Sequence, residues 1–503
     1  MTADPAGRAG ATAWLVEDLP RIAATWLPAQ RWFGGKSRTI RAVRTEEVVW
    51  LPGDGIGSAL VVLDVAYADG PTGGRQDGDC YAVFITFVDT PHDQVIGTLP
   101  ETPTRHAVDG VTHPGALAAL LRGLVTQQPC QGMFGGEIRY ADGTGDARQL
   151  LAGAAPPAVA PVGAEQSNTS VRVGTAHVFK LFRRLEAGEH PQLEFGRFLA
   201  RVGFRSAPPL EGSLVFRART GQVHALGALE GWIANQGDGW SYVTDQLRRA
   251  AGEIGHARAL APQMHALGET TATFHLALAS DASVPAFAPE PVTPSDGRQA
   301  LAHLVGQAER TWRLVEQQRH QWTGRDADAA DAFREAIRSA LPGLGSERDL
   351  PGAFHRIRVH GDYHLGQTLK TESGFVLIDF EGEPTRPLVE RRDKQCALKD
   401  VAGMLRSLDY AWAAAAGTGP SAGAQAVVSL AEARAAFLHG YHARARSGGA
   451  TFLPPDAGAE RWTALFELEK ALYEVAYEAN NRPDWVGIPL GAAARLLRNW
   501  PRA

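Results

Sequence analysis

The sequence predicts an α+β protein: an N-terminal α/β unit, a second strand-rich stretch and a mostly helical C-terminal half. Three observations carry this. Alternating, β-branched runs crowd into 43–51, 59–67 and 80–88. More such runs flank a tight Gly174-Thr175 turn. Beyond residue 233 the apolar residues recur mainly at helical spacing.

Taken in order, residues 13–27 read as a short amphipathic helix, and RWFGGKSR (31–38) as a turn before the three strands. These form a separate N-terminal unit, 1–95. Residues 96–232 form a second unit. It holds a helix at 113–128, a Pro/Gly-rich connector at 152–163, strands NTSVRVG and AHVFKLF, a helix at 192–202, and strands at 213–218 and 223–233. Residues 233–503 form the third. Helices are expected at 239–250, 256–279, 297–321 and 326–340, a strand at 356–360, and strands 367–370 and 375–380 joined by the turn TESG. Segments 325–331, 387–395 and 413–426 read as loops or insertions. No internal repeat is evident.

The 503 residues carry a formal charge of −5, with 44% hydrophobic and 21% charged residues. There is no basic excess for a phosphate backbone, so nucleic acid is not an expected partner. Neither is a membrane, since no apolar run of about 18 residues occurs. No signal peptide is evident. Cys80, Cys130 and Cys396 are too few and too scattered for a disulfide framework, which fits a reducing, cytoplasmic setting.

The chemistry concentrates in VHGDYHLGQTLKTESGFVLIDFEGEP (359–384). If 371–374 is the turn of a hairpin, 369 faces 376 and 367 faces 378. Gln367 and Asp379 then emerge side by side, with Asp362 on the entering loop. Phosphoryl transfer needs such a set: a carboxylate to orient the acceptor hydroxyl and take its proton, and oxygen ligands for Mg²⁺. His360 and His364 lack a third zinc ligand, so His360 is read as a loop-stabilising hydrogen bonder.

HGDxxxxQ, a strand and IDFE resemble the motifs of aminoglycoside-phosphotransferase-like kinases, of protein-kinase-like fold. The resemblance implies Asp362 as the catalytic carboxylate and Gln367, in place of the usual Asn, with Asp379 as Mg²⁺ ligands. It implies ATP on the other lobe. Ser167, Asn168, Thr169 and Ser170 would cover the phosphates. Lys180, paired with Glu194, would hold them, and backbone groups near Leu229 and Gly231 would meet adenine.

Further segments, LPAQRWFGGKSR, NQGDGWSYVTDQL, KDVAGMLRSLDYA and EKALYEVAYEANNRPDWVGIPL, resemble bacterial maltokinases over about residues 13–497. That resemblance implies ATP-dependent phosphorylation of maltose to maltose 1-phosphate, feeding α-glucan synthesis from trehalose. His364, Glu381, Arg406, Tyr473, Glu474, Tyr477, Arg482 and Trp485 would then form the acceptor site. Tyr363 and Asn480 depart from the maltokinase pattern near that cleft. The alternatives are an amino-sugar kinase such as one for glucosamine, and, in another class, a nucleotide-binding scaffold without turnover. Monomer and homodimer stay open.

Overall fold

The computed structural model describes residues 5–53, 57–68, 78–91, 95–141, 145–151, 153, 155–163, 167–249, 260–346, 350, 353–415 and 420–500. The chain divides into two compact units, Met1–Ala200 with Pro208–Ile233, and Arg201–Ala207 with Ala234–Ala503. The expected α+β class is observed.

In the first unit, α1 (Pro5–Ala13) continues through a π-helical turn (Trp14–Asp18) into α2 (Leu19–Trp26). The helical opening therefore starts earlier than the expected residue 13. An antiparallel sheet follows, built from β1 (Ile40–Trp50), β2 (Ser58–Tyr67), β3 (Asp79–Val88), β4 (Gly97–Leu99) and β5 (Thr102–Asp109), in the order β1-β2-β3-β5-β4. The sheet runs past residue 95 because β5 pairs back onto β3, with Phe87 opposite Ala107. Side chains alternate between strand faces, and here both faces are covered. Val61, Leu63 and Val83 join Leu15 and Leu19 of the N-terminal helical segment. Leu60, Val62 and Phe84 join a core shared with a second sheet.

That second, seven-stranded sheet comprises β6 (Cys130–Gln131), β7 (Glu137–Ala141), β8 (Val159–Pro161), β9 (Asn168–Val173), β10 (His177–Phe182), β12 (Leu210–Arg217) and β13 (Val223–Gly231). Its order is β6-β7-β12-β13-β10-β9-β8. The short β11 (Arg184–Leu185) leaves it to pair with β3 of the first sheet. The helix expected at 113–128 is split into α3 (Pro114–Leu121) and α4 (Gly123–Thr126), ended by Gln127 at φ 54°. After α5 (Gly145–Leu151), the helix expected at 192–202 is α6 (Pro191–Arg201), which opens on a proline, has Glu194 in its first turn and buries Leu193, Phe195, Phe198 and Leu199.

The second unit is mostly helical: α7 (Gly239–Arg249), α8 (Leu260–Leu278), α9 (Pro294–Gln318), α10 (Gly324–Ser346), α11 (Leu388–Arg391), α12 (Leu398–Ala415), α13 (Pro420–Ser447), α14 (Asp456–Asn481) and α15 (Gly487–Arg498). Helix α9 starts with a Thr293–Asp296 capping box. Helices α8 and α13 pack so closely that a Cβ at Gly268 would stand 2.1 Å from the Phe437 carbonyl oxygen.

Three local expectations are corrected. Residues 325–331 belong to α10 rather than a loop, because Ala327, Ala330 and Phe333 place a buried stripe at helical spacing. Segment 387–395 contains the one-turn helix α11. The strand expected at 356–360 is only β15 (His355–Arg356), paired with β14 (Glu290–Pro291). Beyond it the backbone bonds elsewhere: Ile357 bridges Gln395, and His360 donates to a side chain. Within 413–426, residues 413–415 close α12 and 420–426 open α13, while 416–419 lie outside the described residues.

Candidate active site

Strands β16 (Thr368–Thr371) and β17 (Gly374–Leu377) form the expected hairpin, with Leu369 opposite Val376. The pairing extends one step further, as the Ile378 N–H donates to the Gln367 carbonyl at 3.0 Å. Gln367 and Asp379 therefore meet, and Gln367 Nε2 donates to Asp379 Oδ2 at 3.1 Å. Asp379 sits at φ 65°. Such a backbone costs about 1–3 kcal/mol and persists where the surroundings hold it in place.

The loop carrying Asp362 is fixed from two sides. His360 Nε2 lies 2.9 Å from the Ile378 carbonyl, next to Asp379, so the loop-stabilising role expected for His360 is observed. From beneath, Asp400 in the first turn of α12 accepts the N–H groups of His360 (2.7 Å) and Gly361 (3.0 Å). His275 Nε2 lies 3.1 Å from the same carboxylate, and its Nδ1 is 2.9 Å from the Tyr441 hydroxyl. Burial alone would raise the pKa of Asp400. The bond and charge of His275, with the loop N–H groups, outweigh this and hold it below the ordinary value. Gly361 sits at φ +84°, in the left-handed region that favours glycine.

Asp362 opens onto a cavity of ≈ 480 Å³ within this unit, also lined by Glu383, Lys399, Glu469, Lys470 and Tyr473. This size suits a small organic ligand. Burial disfavours the charged form of Lys399 and lowers its pKa. Burial, followed by the charge of Glu383, raises that of the Tyr473 phenol. Glu383 is held by Arg386 at 2.9 Å. None of Glu383, Lys399, Glu469 and Lys470 was picked out from sequence. Their only signal was membership of the segments 359–384, KDVAGMLRSLDYA and EKALYEVAYEANNRPDWVGIPL.

The acceptor residues expected from sequence divide. Tyr473 reaches the cavity. Arg406 and Glu474 instead bond each other at 2.7 and 2.9 Å, beneath the surface, and Arg406 also binds Asp409 at 2.6 Å. Neither is among the residues lining the cavity, and burial raises the pKa of Glu474. His364 caps the short turn Leu365–Gln367, its Nδ1 accepting from the Gly366 N–H at 3.1 Å. Burial lowers its pKa and favours the neutral ring that this bond requires. Glu381 is buried and absent from the lining. Tyr477 and Trp485 flank the Arg482 guanidinium at 5.6 and 5.3 Å, and that group pairs with Glu478 at 2.6 Å.

The two departures from the maltokinase pattern differ. Tyr363 lines the cavity but sends its hydroxyl to Thr271 at 2.8 Å, whereas Asn480 is exposed and bonds the Ala476 carbonyl. On α14, Leu465, Leu468, Leu472, Val475 and Ala479 form a buried stripe at helical spacing, and Glu467 and Glu478 are buried too.

In the first unit, Ser167 and Asn168 touch at 3.3 Å, and Thr169 and Ser170 follow in β9. Residues 164–166 of that loop lie outside the described residues. Ser170 is directly opposite Lys180. Lys180 is 7% exposed on β10, which pairs on both sides, so it is not an edge-strand lysine. Glu194 lies in the first turn of α6. Leu229 and Gly231 end β13, but the Gly231 N–H is given to the Pro209 carbonyl (2.9 Å) and that of Trp232 to Ala176 (2.7 Å). These two donors are used within the fold.

The Gln367 amide and Asp379 carboxylate are hard oxygen donors in the small number that Mg²⁺ takes from protein, so this pair fits that ion. Among the described residues no group of three or more His, Cys, Asp or Glu side chains suits a metal, and no helix is long and apolar enough to cross a membrane.

Residues 26–112 match the family model described as maltokinase N-terminal cap domain, and residues 158–382 that of the phosphotransferase enzyme family. Among curated proteins, the chain is similar to a glucosamine kinase of Streptacidiphilus jiangxiensis, 30% identical over 383 residues, covering 71% of this chain and 82% of that one. A glucosamine kinase of Mycolicibacterium smegmatis (strain ATCC 700084 / mc(2)155) is 27% identical over 339 residues, covering 67% and 79%. A solved glucosamine kinase, in complex with glucosamine, ADP and inorganic phosphate, shares the fold, with a TM-score of 0.63 and 22% identity over 95% of this chain and 99% of that one. The chain thus belongs to the phosphotransferase enzyme family and carries the maltokinase N-terminal cap domain.

Proposed function

We propose that this protein is a sugar kinase, transferring the terminal phosphoryl group of ATP to a hydroxyl of a small sugar, with glucosamine as the favoured acceptor. The observation that carries the reading is Asp362 at a ≈ 480 Å³ cavity, on a loop hydrogen-bonded beside the Gln367–Asp379 pair. Asp362 orients the acceptor hydroxyl and takes its proton. Gln367 and Asp379 would hold Mg²⁺, which when bound neutralises charge on the phosphates. Lys180, with Ser167 to Ser170, would hold the phosphates that are not transferred.

Two things favour an amino sugar. Glu383 and Glu469 add carboxylates to the cavity beyond Asp362, as an ammonium group requires. The two curated relatives described above are both glucosamine kinases. Maltose is the second reading, supported by the match of residues 26–112 to the maltokinase cap. Under it the product would be maltose 1-phosphate, a feed for α-glucan synthesis. A test is ADP release with glucosamine, maltose, glucose and kanamycin, each with ATP and Mg²⁺. The reading expects the largest kcat/KM with glucosamine. A largest value with maltose selects the second reading, and turnover of kanamycin alone contradicts both.

A further inference from the structure

Arg183 joins three segments of the first unit that are far apart in sequence. Its side chain is 0% exposed. The guanidinium donates through Nε to Thr169 Oγ1 at 2.8 Å and through Nη2 to the Asp109 carboxylate, and it lies 4.7 Å from the centre of the Trp32 ring. Asp109 ends β5 of the first sheet, and its other oxygen is fixed by the Val111 N–H at 3.1 Å. Trp32 belongs to the RWFGGKSR turn and packs on Trp26 (5.7 Å) and Tyr81 (6.0 Å). Thr169 stands in β9, one residue before the Ser170 that faces Lys180.

The backbone follows the same course. The Arg183 carbonyl accepts the Ala82 N–H at 2.7 Å, and Arg184 pairs with Tyr81. A fully buried guanidinium is costly to hold, and well-packed apolar residues often replace one without loss of stability. Here Nη1 is buried with no hydrogen-bond partner among the described residues. Stability alone therefore does not account for an arginine. Its fixed planar fork does bring one thing an apolar residue lacks, which is a set direction between Asp109 and Thr169.

We propose that Arg183 is a positioning residue through which the cap sheet sets the β9–β10 hairpin for the nucleotide. This rests on the reading that ATP binds at residues 167–170 and Lys180.

The test is calorimetric titration of MgADP into the full chain, without acceptor, for wild type, Asp109→Asn, Arg183→Lys and Arg183→Met, with thermal melts alongside. Asp109→Asn is nearly isosteric and lies on the cap sheet, outside the nucleotide segment. Loss of its charge-assisted bond is expected to weaken MgADP binding about tenfold. The acceptor KM is expected to stay within about twofold, since only the nucleotide segment is displaced. In an Arg183→Met background, adding Asp109→Asn should weaken binding no further. Folded Asp109→Asn and Arg183→Lys proteins that bind MgADP as wild type does would overturn the proposal, even if they melt earlier. Wild type failing to bind MgADP at all would instead sink the nucleotide reading beneath it.

Discussion

The carboxylate of Asp400 accepts the backbone N–H of His360 at 2.7 Å, and so holds the loop that presents Asp362 from a helix forty residues later. The same group takes the Gly361 N–H and faces His275. Asp400→Asn keeps the shape but loses the charge and one acceptor. It is expected to cost about 1.5–3 kcal/mol of stability, the range for hydrogen bonds to charged groups. Turnover should also fall by at least about tenfold as the Asp362 loop loosens. Denaturant melts and kcat, measured side by side, check both.

Acid should act through the same residue. The Asp400 pKa is lowered in the fold, so the unfolded chain takes up its proton first as pH falls. Its stabilisation is fully present above the ordinary aspartate value of about 3.9 and is lost as pH falls from there toward the native value. The stability gap between wild type and Asp400→Asn is therefore expected to shrink as pH falls below about 4. Paired urea melts across that range read it directly.

Arg406 and Tyr473 were both expected at the acceptor, and the structure separates them. Arg406→Ala leaves the largely buried Glu474 without its cation, while Asp409 keeps Arg434 and Arg495, and is expected to cost about 3 kcal/mol. Below its melting range the acceptor KM should be nearly unchanged. Tyr473→Ala strips the cavity wall and should raise acceptor KM about tenfold, or about 1.4 kcal/mol, with little change in stability. Steady-state kinetics with paired melts separate the two patterns.

The metal reading predicts a split between Gln367 and Asp379. Gln367→Ala removes one amide oxygen and should raise the Mg²⁺ concentration for half-maximal rate by about tenfold while leaving activity at saturating metal. Asp379→Asn removes the charge that holds the ion and should lower turnover by about 10²-fold even at high Mg²⁺. Magnesium titrations of initial rate test the pair.

How much of this the sequence carried depends on the range of the contacts. The β16–β17 register followed from a short turn and strict alternation, so the Gln367–Asp379 meeting was legible at once. The cap strands were equally plain, because each is a long β-branched run. Arg406 and Glu474 were expected at the acceptor from resemblance alone, and nothing in their local spacing shows that they pair with each other beneath the surface. Asp400 was not singled out, since nothing local says that its carboxylate faces a loop forty residues earlier. Residues 325–331 looked like an insertion because alanine-rich helices bury small side chains and leave a weak apolar stripe.

The claim beneath all of this is that the Asp362 carboxylate drives phosphoryl transfer to a sugar hydroxyl. Phosphorus NMR of ATP, Mg²⁺ and glucosamine or maltose, run with wild type and with Asp362→Asn, tests it most directly. The account predicts a new sugar-phosphate resonance with wild type, and its appearance at least about 10²-fold more slowly with the variant, while the variant still binds ATP. A resonance growing equally fast with Asp362→Asn would contradict it.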